Sequence, residues 1–292
     1  MRTTLTLDDD LAESLSRTAR LTGRSFKAVV NDVIRRGLAQ GENPAAAGRV
    51  VAGSAAGAHS DRFKPNGAGG EIMSTGLERQ QIADRLAQEF RDGWIVNLGV
   101  GMPTMCSNTP IDTDIIYHSE NGVIGYGPVL PDGQEDVHLV NAGGQNVSLK
   151  PGAAIVHHAD SFAIIRSGRI DVTVLGIYEV ACNGDFANWK VAGANGGGIG
   201  GAMDLAACAK QVFVILEHAT RDGKPRLLSQ CALPVTARGV VTTIATNLGL
   251  FKPLGDRFLL REIAPGVSVD EVRAATGAPV EVAADLRVIR TL

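Results

Sequence analysis

The chain has 292 residues, a net charge of −3 and 45% hydrophobic residues, a composition typical of a globular protein with one large domain or two smaller ones. The slightly negative balance gives the whole chain no basic field that would indicate nucleic-acid binding. Glycine is abundant, at 35 residues, and it lies among strand-like apolar runs. It therefore indicates tight loops and close backbone approach rather than disorder.

The cysteines are scattered along the chain and include no C-x-x-C pair, which argues against a zinc site and against a disulfide framework: Cys106, Cys182, Cys208 and Cys231. This usage predicts a reduced, cytoplasmic setting. The first ten residues lack the apolar segment of a signal peptide. No apolar run reaches the roughly 18 residues that span a bilayer, so we expect no membrane contact.

The sequence pattern of residues 1–41 predicts a short strand followed by two helices. The alternation from Arg2 to Leu7 is typical of a strand, and an apolar stripe from Phe26 to Ile34 recurs at helical spacing. A unit this small buries too little surface to be stable alone, so we expect its strand to pair with that of a second copy.

This segment resembles the ribbon-helix-helix domain of bacterial antitoxins. The resemblance implies that the paired strands would enter the major groove of DNA with Arg2, Thr4 and Thr6 facing the bases. A dimerising arm with solvated charges is the alternative. The true start also stays open between Met1 and Met73, because residues from Met73 onward read as an independent protein start.

Residues 42–72 are rich in Ala, Gly, Ser and Asn, with few large apolar residues, and we interpret them as a flexible linker. Residues 73–292 alternate predicted strands and helices joined by glycine-rich turns. The first of these elements are a helix over 77–90 and a buried strand over 94–98. The strand runs into the turn Gly99–Gly101, where backbone N–H groups approach the start of a helix. A plain strand-to-helix turn is an equal alternative.

Glu120 follows a predicted strand over 114–118 and precedes an expected glycine-rich bend over 123–128. Ligands of open α/β sheets bind at the carboxyl ends of strands, so a carboxylate at this place is a candidate nucleophile. By itself, the tetrapeptide Ser119–Gly122 is more typical of a surface turn.

The alternation continues to the C-terminus. It predicts helices over 160–166 and from Ala202, and strands over 170–175, 211–216 and 280–282. The polyglycine run 195–201 exposes N–H donors that could stabilise an oxyanion, or forms only a loop. Ser268 to Glu271 fits a capping box and Gly277 a helix end. We expect His218 to be structural, and the sequence assigns no role to His157 or His158.

Residues 73–292 resemble the B subunit of family I CoA-transferases, whose fold is an open, mostly parallel, Rossmann-like α/β sheet. The motifs that carry the resemblance are VNLGVGMPT (96–104), HSENGVIGYGP (118–128), NAG (141–143), HHADSF (157–162), GDFANW (184–189), GIGGAMDLA (198–206), EH (217–218) and LPVT (233–236). Within this family, the combination of the motifs HHADSF, AMDLA and KQVFV is most similar to the 3-oxoadipate CoA-transferases. The acetoacetate and 3-oxoacid members are close relatives.

The resemblance implies transfer of CoA from succinyl-CoA to a 3-oxo acid through a thioester between Glu120 and CoA, and the favoured acceptor is 3-oxoadipate. It assigns an oxyanion-stabilising N–H to Gly201, and it implies CoA or substrate contacts at Asn97, Gly99, Gly101, Asn121 and Gly200. CoA esters would be substrates, with no metal and no permanently bound cofactor.

The resemblance to family I CoA-transferases also implies that the chain acts in a hetero-oligomer with a CoA-transferase A subunit and is inactive alone. Many members have a lysine where this chain has Gly197, which bears on the choice of acceptor. Two other functions stay open: a DNA-binding, antitoxin-like regulator with an inert enzyme-like domain, and a hydrolase in which water intercepts the glutamyl thioester.

Overall fold

The computed structural model describes residues 76–291 except 132, 135, 137 and 192–197, and it also describes Phe26, Val29, Val30 and Val33. By its internal contacts the chain divides into two units, Met1–Ser54 and Ala55–Leu292. In the first unit the four described residues are helical, and Val29 is buried. The predicted strand with Arg2, Thr4 and Thr6 and the linker 42–72 lie outside the described residues.

The second unit is built on a large mixed sheet. In chain order, its described strands are β1 (Ile95–Leu98), β2 (Ile116–Ser119), β3 (Val123–Val129), β4 (Val147–Ile155), β5 (Val172–Gly176), β6 (Glu179–Ala181), β7 (Phe186–Ala187), β8 (Gln211–Ile215), β9 (Leu227–Leu228), β10 (Val241–Thr246), β11 (Gly249–Pro253), β12 (Phe258–Ile263) and β13 (Val280–Val288). The main sheet has the order β13-β12-β11-β10-β8-β5-β1-β2-β3-β4, and β7-β6-β9 form a small second sheet.

The centre of the main sheet is parallel. Strands β10, β8, β5, β1 and β2 pair in parallel, whereas β3 and β4 extend one side as antiparallel strands. Central strands are near-continuous apolar runs because both of their faces are covered: β5 and β8 are buried along almost their whole length. The expected open, mostly parallel α/β sheet is therefore confirmed.

The described helices of this unit are short. They are α1 (Arg79–Ala87), a 3-10 helix η1 (Met102–Asn108), α2 (His158–Arg166), α3 (Ala202–Cys208) and α4 (Val269–Ala275). α4 begins with the expected capping box, in which the Ser268 hydroxyl accepts from the Glu271 N–H and the Glu271 carboxylate accepts from the Ser268 N–H. No helix in the described part of the chain is long and apolar enough to cross a membrane.

Two details of the sequence interpretation are wrong. The expected glycine-rich bend over 123–128 is strand β3, whose register shifts between Ile124 and Tyr126 as it pairs with β4. The last strand continues to Val288 because it pairs in parallel with β12. The helix end expected at Gly277 is confirmed, since α4 ends at Ala275 with Thr276 as its C-cap. Gly277 itself is not left-handed, and an added Cβ there would come within 2.7 Å of the Leu228 Cδ2.

Candidate active site

Glu120 lies at the carboxyl end of β2, in the tight connection to β3. Ser119 pairs with Val123, so the connection consists of Glu120, Asn121 and Gly122. Gly122 has φ 110°, and a Cβ there would collide with the carbonyl oxygen of Val156. Only glycine fits this backbone, and the turn therefore holds Glu120 at the edge where the parallel strands end.

The Glu120 carboxylate is half-buried and unpaired. Among the described residues it has no hydrogen-bond or ion-pair partner. Burial raises the pKa of Glu120; the nearby His158 opposes that rise and Asp204 adds to it. The ionised carboxylate is therefore poorly solvated and has free lone pairs, which are the properties of a reactive nucleophile.

Gly201 lies directly against this carboxylate. It precedes α3, and a Cβ at this position would collide with Oε2 of Glu120 and come within 2.9 Å of Cζ of Phe162. Within the described part of the chain, the N–H of Gly201 donates no hydrogen bond. The fold thus brings together two residues that are 81 positions apart, a carboxylate and a free N–H donor.

The other glycines predicted to contact ligand follow β1 or precede α3, and two of them are exposed. The turn Gly99–Gly101 follows β1, the strand next to β2, and Gly101 is exposed with no atom within 4 Å of an added Cβ. Gly200 is also exposed, beside Gly201. A bound ligand can therefore reach the backbone of Gly101 and Gly200 without displacing a side chain. Gly99, in contrast, is half-buried, and its N–H donates to the carbonyl oxygen of Val174 at 2.9 Å.

The two predicted asparagines are already engaged within the chain. Asn97 is 1% exposed, and its amide donates to Nδ1 of His118 and accepts from Thr173. Asn121 is exposed, and its amide donates to the carbonyl oxygen of Val140 at 2.8 Å. The buried Asn97 therefore offers no group to a ligand, whereas the exposed Asn121 is held at one end of its amide and remains accessible at the surface.

Helix α2 supplies side chains that the sequence did not assign. A groove of about 370 Å³ runs along it, lined by His157, His158, Ala159, Phe162 and Arg166. The His157 ring caps the helix by accepting from the Ala159 N–H, and His158 meets the Phe162 ring edge-on at 4.8 Å. The motif HHADSF marked these residues, but only the fold shows that His158 lies near Glu120 and that Phe162 lies against Gly201.

A larger cleft of about 470 Å³ lies at the opposite, amino-terminal ends of the strands, beside Trp94 and Gln211. It contains no part of the Glu120 site. Across the described residues, no group of three or more His, Cys, Asp or Glu side chains is arranged to hold a metal ion. All four cysteines are free thiols.

Comparison with known proteins decides the family. Residues 79–275 match the model of the family described as "Coenzyme A transferase". The chain belongs to the coenzyme A transferase family. The match spans the strand that carries Glu120 and the turn that carries Gly201, so the site lies wholly within the family's domain.

Curated coenzyme A transferases resemble the chain over nearly their whole length. The B subunit of the 3-oxoadipate CoA-transferase of Pseudomonas putida is 42% identical over 70% of this chain and 96% of its own. The B subunit of the succinyl-CoA:3-ketoacid coenzyme A transferase of Helicobacter pylori is 42% identical over 70% and 99%. The beta subunit of the acetate CoA-transferase of Escherichia coli is 46% identical over 73% and 97%.

A solved coenzyme A transferase shares the fold. The acyl-CoA transferase YdiF of Escherichia coli O157:H7 superposes with a TM-score of 0.57 at 22% identity over 73% of this chain. The superposition covers 43% of the YdiF chain, so this chain spans less than half of that protein.

Proposed function

We propose that the chain is the glutamate-bearing subunit of an enzyme that moves CoA from succinyl-CoA to a 3-oxo acid. One observation carries the proposal: the half-buried carboxylate of Glu120 lies against Gly201, and among the described residues neither that carboxylate nor the Gly201 N–H has a hydrogen-bond partner. A nucleophile and a hydrogen-bond donor at one point are what acyl transfer requires.

In the proposed mechanism, the Glu120 carboxylate attacks the acyl carbon of succinyl-CoA and expels CoA thiolate, which leaves a mixed anhydride. The thiolate then attacks the glutamyl carbonyl carbon, so that a Glu120–CoA thioester forms and succinate leaves. The acceptor acid reverses both steps and departs as its CoA ester. Each step passes through a tetrahedral oxyanion, which we assign to the Gly201 N–H.

The surrounding glycines and asparagines have different roles in this proposal. Gly101 and Gly200 present open backbone to the CoA ester, and Gly99 contributes to the same turn as Gly101. The buried amide of Asn97 is engaged within the chain, so we assign Asn97 to holding the site, whereas the exposed Asn121 stays among the residues proposed to contact the CoA ester. CoA esters are substrates, and the mechanism needs no resident cofactor.

We further propose that activity requires a CoA-transferase A subunit, since the relatives at 42–46% identity are named as B or beta subunits. Their names include 3-oxoadipate, 3-ketoacid and acetate as substrates, and we favour 3-oxoadipate because of the motif HHADSF. Gly197, where many members have a lysine, lies outside the described residues.

Trapping the intermediate tests the proposal. The chain and its A-type partner are incubated with succinyl-CoA and then with borohydride, and peptide masses are measured. We expect a reduced adduct at Glu120 and none in the Glu120→Gln variant. Absence of an adduct in the wild-type complex would contradict the proposal.

A second experiment identifies the acceptor. The complex is assayed for CoA transfer to 3-oxoadipate, acetoacetate and acetate, and release of free CoA without transfer would indicate a hydrolase.

We also propose that residues 1–41 form a ribbon-helix-helix unit. Support comes from Phe26, Val29, Val30 and Val33, which are helical where the second helix is predicted. DNA binding through Arg2, Thr4 and Thr6 stays a prediction, and a gel-shift titration with the DNA upstream of the gene tests it.

A further inference from the structure

A row of buried polar side chains crosses the centre of the sheet beneath the Glu120 turn. Thr173, Asn97 and His118 are direct partners across β5, β1 and β2, so they share one face of the sheet. Their exposed fractions are 0%, 1% and 0%. Ser161 of α2, also 0% exposed, packs on the same face. Polar groups buried this deeply must satisfy one another.

Their hydrogen bonds have one consistent arrangement. The Nδ2 of Asn97 lies 3.2 Å from the carbonyl oxygen of His118, which can only accept, so the amide orientation is set. The same nitrogen donates to Nδ1 of His118 at 2.9 Å, and Thr173 donates to the Asn97 Oδ1 at 3.3 Å. Nδ1 must therefore accept, and the ring proton is on Nε2, which donates to the Ser161 hydroxyl at 3.1 Å.

This network is attached to both walls of the active site. Ser161 donates to the carbonyl oxygen of Ser119 at 3.4 Å, and this is the peptide group immediately before Glu120. Ser161 also belongs to α2, whose Phe162 lies against Gly201. The imidazole ring of His118 lies between β2, which precedes Glu120, and α2, which lies beside Gly201. The distance between β2 and α2 therefore depends on this ring.

We propose that His118 is a positioning residue, which aligns Glu120 with Gly201 by bridging Asn97 and Ser161. It does not touch substrate, since it is wholly buried. Burial also lowers the pKa of His118 to about 4, so the ring is neutral and keeps one acceptor and one donor through the physiological range. The inference rests on the proposed function, because alignment matters only if Glu120 reacts.

A second histidine provides a matched control. His218 is 1% exposed, and burial lowers its pKa to about 4 as well. Its ring also bridges two side chains, the hydroxyls of Thr246 and Thr276 at 3.0 and 2.9 Å. His218 follows β8, which is three strand positions from β2, or roughly 14 Å at the usual strand spacing.

The test compares His118→Leu and His118→Gln with His218→Leu and His218→Gln, each in the complex with the A-type partner. Melting temperature, kcat, KM for succinyl-CoA and the rate of adduct formation at Glu120 are measured. We expect His118→Leu to lower kcat and the adduct rate on the order of 10- to 100-fold with little change in KM, since small misplacements of reacting groups have effects of this size. Glutamine, which keeps an acceptor and a donor, should recover part of the rate.

The His218 variants should lower the melting temperature comparably and leave kcat within about twofold of wild type. Ser161→Ala removes one bridge with a smaller change in packing, and it should reduce kcat even if His118→Leu fails to fold. Equal adduct rates in Ser161→Ala, the His118 variants and wild type would overturn the inference. If the wild-type complex itself forms no adduct, the proposed function fails instead.

Discussion

At the scale of single residues, Glu120 must be ionised to attack, yet its surroundings disfavour the charge. Burial raises the pKa of the carboxyl group, His158 opposes the rise, and Asp204 adds to it. The cost of partial desolvation is what makes the ionised group reactive, because attack on a thioester carbon disperses the charge.

The pH dependence follows from this shift. Below the pKa of Glu120 the carboxyl group is protonated and cannot attack, so the rate falls as pH falls. Since burial raises that pKa, we expect the fall to begin at a higher pH than it would for an exposed glutamate. Single-turnover adduct formation against pH measures it. A midpoint at or below the ordinary glutamate value would contradict the prediction.

A substitution at Gly201 tests the geometry of the same site. A Cβ at this position would collide with the Glu120 carboxylate, so Gly201→Ala should displace the nucleophile and lower kcat on the order of 100-fold. Gly277→Ala is a matched control, because its Cβ would crowd Leu228 outside the site. Both variants should lose some stability, but only the first should lose the adduct. Equal kcat values in the two variants would show that Gly201 has no catalytic role.

At the scale of elements, an ion-pair cluster joins α1 to β12, the strand next to the β13 edge of the sheet. The guanidinium of Arg85 binds both oxygens of Glu262 on β12, at 2.6 and 2.8 Å, and Glu89 at 2.7 Å. The Arg85 side chain is 9% exposed, so its removal would leave two acidic groups without their main partner in a partly dry environment.

We therefore expect Arg85→Ala to lower the free energy of unfolding by about 3–5 kcal/mol. Arg287→Ala is the control, because Arg287 and Asp285 are 73% and 78% exposed and such pairs contribute at most about 1 kcal/mol. Urea titrations of both variants measure the difference. A loss below about 1 kcal/mol for Arg85→Ala would mean that the cluster does not hold α1 in place.

At the scale of the whole molecule, the domain that matches the family begins at Arg79, and residues 1–72 have no counterpart in its match. We propose that residues 73–292 carry the activity by themselves once the A-type partner is present. A chain that begins at Met73 should give the same kcat, within about twofold, and the same adduct as the full chain. Loss of assembly or of activity on truncation would show that the N-terminal segment contributes to the enzyme.

The elements and the site were predictable to different degrees. Apolar runs predicted the central strands, as with residues 170–175 for the observed Val172–Gly176, and Ser268 with Glu271 predicted the start of α4, because both signals are local. Residues 123–128 were mistaken for a bend, because their glycines suit a turn and only their pairing with β2 and β4 makes them a strand.

By itself, the sequence determined the class of fold, the family resemblance and the identity of Glu120 and Gly201 as candidates, since these depend on local pattern and motif. Only the tertiary structure decided which groups meet. It placed Gly201 against Glu120, and it turned Asn97 inward to His118 rather than outward to a ligand. The physical reason is that strand register and helix packing join positions far apart in the chain, and local spacing carries no record of those contacts.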